Sequence, residues 1–170
     1  PDKIVSLHAT AETIYPYLEI DGARDPHLWL SPKRDIVMVE EIAETLCKID
    51  PDNEEEYREN AKKYCAELEK LDSEITELLK DKAGQSFMVF HPSFGYFADD
   101  YSLTQYALEK NGKEADAKNL AKMSDLAKKE GIKAVFYQAE SSSRQAEAFA
   151  EEIGGKAIEL SPLSPDYTKN

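Results

Sequence analysis

His27 and His91 are the residues whose neighbours best equip them for chemistry in this 170-residue chain. His27 lies in Asp25-Pro26-His27-Leu28-Trp29-Leu30, a loop stiffened by proline just ahead of a helix start. His91 lies in Phe90-His91-Pro92, at the end of an apolar stretch, and is followed by Ser93-Phe94-Gly95-Tyr96-Phe97. Both are imidazoles on restrained backbone beside aromatic rings, a setting that suits zinc and related divalent metals. The third histidine, His8, sits between Leu7 and Ala9 without such a setting and reads as structural.

Other chemistries find less support. There is no Gly-x-Ser-x-Gly, and Ser141-Ser142-Ser143 reads as a helix cap rather than a nucleophile. Neither common Gly-rich phosphate loop is present. Cys47 and Cys65 fall inside helical patterns, lack metal-site spacing and read as two buried thiols. With 34 Asp and Glu residues, a catalytic carboxylate pair cannot be singled out, and the chain reads as a non-enzyme. The net charge of −13 excludes a basic stripe for nucleic acid and disfavours docking on an anionic membrane surface. Hydrophobic residues at 41% suffice for a folded core, yet no apolar run approaches the roughly 18 residues of a membrane span.

The elements that must hold these histidines follow from periodicity. Residues 3–7 alternate weakly and predict a short strand, and residues 8–31 read as irregular. Ser31-Pro32 opens a helix whose apolar positions run from Ile36 to Ile49. Asp50-Pro51 opens a second, with Tyr57, Ala61, Tyr64, Leu68, Leu71, Ile75 and Leu78 at alternating steps of four and three. No Gly or Pro interrupts it from Asp52 to Ala83, which predicts a helix about 45 Å long. Beyond Gly84, strands are expected at 86–91, 104–108, 134–138 and 156–160, and helices at 94–101, 116–130 and 142–153. That alternation predicts a mostly parallel sheet covered by helices. In such sheets sites lie at the carboxyl ends of strands, where His91, Gln138 and Ser161 stand.

Three segments carry a family resemblance. Asp25-Pro26-His27-Leu28-Trp29-Leu30-Ser31-Pro32 resembles the DPHxWLxP signature of the zinc/manganese-type substrate-binding proteins of metal ABC importers. Asp50-Pro51-Asp52-Asn53 through Tyr57-Arg58-Glu59-Asn60-Ala61 resembles the opening of their backbone helix. Phe90-His91-Pro92-Ser93-Phe94-Gly95-Tyr96-Phe97 through Tyr101 resembles their FHxxxGYFxxxY segment. The resemblance implies an α/β fold of two parallel-sheet lobes joined by one long backbone helix. Residues 1–50 would be the remainder of the first lobe, 51–83 the connecting helix and 84–170 the second lobe. It also implies His27 and His91 as metal ligands. Manganese-type members usually have a carboxylate in place of His91, so histidine there favours Zn2+ over Mn2+.

The departures are specific. The family's first-lobe histidine has no counterpart and would lie upstream of Pro1, so the first lobe is expected to be incomplete. Ser161 in Leu160-Ser161-Pro162-Leu163 replaces the family's aspartate, a fourth ligand. Gln138-Ala139 replaces a Glu-Pro, with Glu140 the next carboxylate. The function implied is an extracytoplasmic zinc-binding component, periplasmic or lipid-anchored at the outer face of the cytoplasmic membrane, that delivers metal to an ABC permease. The alternative is a cell-surface adhesion or interaction module on the same fold with a degraded metal site. Self-association through the exposed face of an incomplete lobe is a further expectation.

Overall fold

The computed structural model describes residues 4–109, 115–139 and 143–163. They form two compact units, one from residues up to Glu19 and Arg24–Asp81, the other from Ile20–Ala23 and from Lys82 onward. No described helix is long and apolar enough to cross a membrane.

The first unit opens with a correction. Where residues 3–7 predicted a strand, residues 4–6 carry no regular structure and Leu7–Ala11 form a short helix, α1. Ser6 decides this locally: its side chain accepts the Ala9 N–H at 3.3 Å and caps the helix start. Five weakly alternating residues carry little strand preference against such a cap. The stretch read as irregular also contains a hairpin, β1 (Glu19–Ile20) and β2 (Ala23–Arg24). Asp21 and Gly22 between them have φ of 52° and 79°, the paired positive values of a two-residue hairpin turn.

The two long helices form as expected. Helix α2 spans Pro32–Ile49, with Pro32 at its first position, where a missing N–H costs nothing. A 3-10 turn at Pro51–Asn53 leads into α3, Glu54–Leu79. Its 26 residues make it about 39 Å long, shorter than expected because the ends of the uninterrupted stretch are not helical. Three glutamates fill its first turn, where the helix dipole favours negative charge. Helices α2 and α3 pack on each other, and Arg58 of α3 pairs with Glu44 of α2. Val37, Met38, Ala43, Cys47 and Leu68 are buried, whereas Tyr64, Leu71 and Leu78 of the predicted stripe remain exposed. Cys47 is buried as expected, and Cys65 is only half-buried.

The second unit is the expected α/β layer. Strands β3 (Ser86–Val89), β4 (Thr104–Ala107), β5 (Ala134–Tyr137) and β6 (Lys156–Glu159) form one parallel sheet in the order β4-β3-β5-β6. Helices α4 (Gly95–Asp100), α5 (Ala117–Glu130) and α6 (Ser143–Glu152) connect them. Met88, Phe90, Leu108, Val135, Phe149 and Ile153 lie in its core. The strand order doubles back at β3, so the carboxyl end of β3, where His91 follows, lies at a switch point of the sheet.

Candidate metal centre

In the first unit, the histidine loop is held at its base by Asp25. The Asp25 N–H donates to the Leu18 carbonyl at 2.8 Å. Asp25 Oδ1 then accepts twice from His27: from its backbone N–H at 2.9 Å and from ring Nδ1 at 2.7 Å. Pro26 between them restricts the loop, and the 3-10 turn Leu28–Leu30 follows immediately. Asp25 is 0% exposed. A carboxylate can only accept, so Nδ1 carries a ring proton. The Trp29 ring lies 5.4 Å from the imidazole, centroid to centroid, tilted by 58°.

Arg34, in the first turn of α2, anchors the approach to this loop. It is 1% exposed, donates from Nη1 to the Pro16 carbonyl at 2.9 Å and lies over the Tyr15 ring at 5.1 Å. A buried guanidinium must find such acceptors, so the chain near Pro16 is tied to the helix that starts after the histidine loop.

In the second unit, sheet register does the same work. Strands β3 and β4 pair in parallel with Ser86 opposite Thr104 and Val89 opposite Ala107, a constant offset of 18 residues. The ladder continues past the strands: Leu108 N–H donates to the Val89 carbonyl at 3.0 Å and Glu109 N–H to the Phe90 carbonyl at 2.9 Å. The same offset carries His91 onto Glu109, and Glu109 Oε2 lies 2.6 Å from His91 Nδ1. Here too the carboxylate can only accept, so Nδ1 carries a ring proton. The turn after His91 is held by Gln105 of β4, whose Oε1 accepts the Phe94 N–H at 2.7 Å, and by the Ser93 N–H to the His91 carbonyl at 2.8 Å. These imidazole side chains are 13% (His27) and 32% (His91) exposed, reachable from solvent.

The remaining expected positions divide. Ser161 is buried at 6% exposure just past β6, and Gln138 is half-buried just past β5. A serine hydroxyl is a poor zinc ligand, since zinc sites use thiolate, imidazole and carboxylate. Glu140 lies outside the described residues. His8 lies on α1. Among the described residues no three His, Cys, Asp or Glu side chains are grouped as a metal-holding set. Sequence reasoning found both imidazoles and missed both carboxylates. Asp25 was visible as part of the motif, two residues ahead of His27. Glu109 carried a fainter signal, a lone acid directly after a short apolar strand.

Residues 2–170 match the family described as ZnuA, zinc-uptake complex component A, periplasmic. The chain belongs to this family. Among ZnuA-family relatives, the zinc-binding protein AdcA of Streptococcus pyogenes is 42% identical over 145 residues, covering 83% of this chain and 28% of that protein. The high-affinity zinc uptake system protein ZnuA of Bacillus subtilis is 36% identical over 143 residues, covering 83% of this chain and 45% of that one. A crystal structure of ZnuA superposes with a TM-score of 0.86 at 37% identity, covering 94% of this chain and 63% of that chain. The chain therefore spans less than half the length of these two curated relatives. The ZnuA-family match bears out the sequence resemblance and its α/β fold class.

Proposed function

We propose that this protein is the zinc-capturing component of an ABC-type importer, acting outside the cytoplasm and passing Zn2+ to a membrane permease. Its role is binding and release, without covalent catalysis. His27 and His91 are the ligands from this chain, each through Nε2. The observation that supports this most directly is that both imidazoles meet a carboxylate at Nδ1, at 2.7 Å and 2.6 Å. Metal-bound histidines are characteristically held in this way. Imidazole donors favour zinc over manganese, in keeping with relatives named for zinc. The family description as periplasmic, and a Streptococcus pneumoniae relative named as a zinc-binding lipoprotein, support an extracytoplasmic site of action. In this reading residues 1–50 belong to a first lobe, 51–83 to a connecting helix and 84–170 to a second lobe. The adhesion alternative has less support, because the curated relatives at 36–42% identity are named for zinc.

Two imidazoles fill half of zinc's tetrahedral shell, so residues 1–170 are expected to bind zinc reversibly and more weakly than a complete four-ligand site. Calorimetric titration of the metal-free protein tests this. His27→Ala and His91→Ala are each expected to abolish measurable uptake. Retention of full zinc binding in either variant overturns that residue's assignment, and the absence of zinc binding in the unmodified chain overturns the receptor reading.

A further inference from the structure

We propose that Asp25 and Glu109 are positioning residues for zinc: they hold the proton of His27 and His91 on Nδ1 and thereby aim each Nε2 at the metal. The proposal rests on the receptor reading above and extends it to residues outside the ligand set.

The two pairs were built by unrelated routes and arrive at the same result. Asp25 reaches His27 from two positions away, through a turn in which one carboxylate oxygen takes both the backbone and the ring N–H. Glu109 reaches His91 from another strand, through the register of the parallel sheet. A structural role alone asks only that each carboxylate find a donor, and any backbone or side-chain donor would serve. Here both meet ring Nδ1, at 2.7 Å and 2.6 Å. A carboxylate on Nδ1 fixes the ring's tautomer and restricts its rotation, two properties a zinc ligand needs.

The arms differ in how firmly they are held. Asp25 is fully buried and its turn is closed locally, whereas the Glu109 side chain is 17% exposed and its pairing depends on strand register. Asp25 therefore holds its imidazole the more rigidly, and its replacement is expected to have the larger effect.

The test uses the full 170-residue chain. Asp25→Asn and Glu109→Gln keep size and an acceptor oxygen and remove the charge. Zinc affinity, measured by competition with a chromophoric chelator, is expected to fall about 10–100-fold in each, with Asp25→Asn toward the upper end. Long-range 1H–15N spectra of the metal-free wild type are expected to show the Nδ1–H tautomer for His27 and His91. Each variant is expected to lose that tautomer preference at its own imidazole alone. A packing role would not move this signature, and chemical unfolding of the metal-free variants separates affinity from stability. Glu109→Gln, at a partly exposed position, carries the test should Asp25→Asn fail to fold. Unchanged affinity in the variants, or an Nε2–H tautomer in the wild type, overturns the proposal. If His27→Ala and His91→Ala still lose zinc, the receptor reading survives that result. A wild-type chain that takes up no zinc overturns both.

Discussion

Asp35 should make this protein less stable as the solution becomes less acidic. The residue lies in the first turn of α2 and is half-buried, and burial lifts its carboxyl from 3.8 to about 7. In the unfolded chain the same group loses its proton near the ordinary value. Between these two points the folded chain holds one proton more than the unfolded chain, so folding stability falls as pH rises through that window. The full shift corresponds to a ceiling of about 4 kcal/mol. Partial access to water lowers that figure, and the positive end of the α2 dipole favours the carboxylate by about 0.3–1 kcal/mol. A net cost of about 1–3 kcal/mol above neutral pH is the resulting expectation. Asp35→Asn keeps the side-chain size and removes the titration. The assay is urea unfolding followed by circular dichroism, on metal-free wild type and variant, at about pH 5, 6 and 8. The variant should exceed the wild type in stability at the highest pH, with the gap narrowing steadily toward the lowest. A gap that stays constant across the series, or a wild type that gains on the variant as pH rises, refutes burial as the governing effect at Asp35.

Two further outcomes follow from close contacts. A Cβ on Gly155 would stand 2.5 Å from the Lys133 carbonyl oxygen, where β6 joins β5, so Gly155→Ala should cost about 1–3 kcal/mol and lower the thermal midpoint. An unchanged melt would show that the backbone yields there without strain. Gln105→Ala removes the acceptor of the Phe94 N–H behind the His91 turn. Stability should drop by about 1–2 kcal/mol. Hydrogen exchange at Phe94 should quicken and zinc binding weaken, while His27 keeps its ring tautomer. Protection of the Phe94 amide equal to wild type would refute the role given to Gln105.

Local chemistry made much of this molecule legible. The alternation beyond Gly84 is readable because short apolar runs and amphipathic stretches differ in period. The observed strands and helices of the second unit fall within a few residues of expectation. The helix starts at Pro32 and after Pro51 were readable because cap and proline signals act over one turn. The failures were also local in kind. Residues 3–7 offered a pattern too short to outweigh the Ser6 cap. Asp21-Gly22 lies in the stretch that reads as irregular, although it is a hairpin turn. For α3 the stripe was found, but the burial of Leu68 and the exposure of Leu71 and Leu78 depend on what packs beside it.

The two imidazoles were legible in the chain itself: one after Asp25-Pro26 and another after a buried strand are matters of residue type and neighbours. Which groups would orient those rings was decided by tertiary structure. Glu109 meets His91 because two parallel strands pair with an offset of 18, and register depends on the packing of a whole sheet face rather than on any short segment. Asp25 stood in plain view in the motif, yet its burial and its doubled acceptance from His27 exist only once the loop folds back on itself. Residue type sets what a side chain can do, and long-range pairing sets which neighbour it does it with.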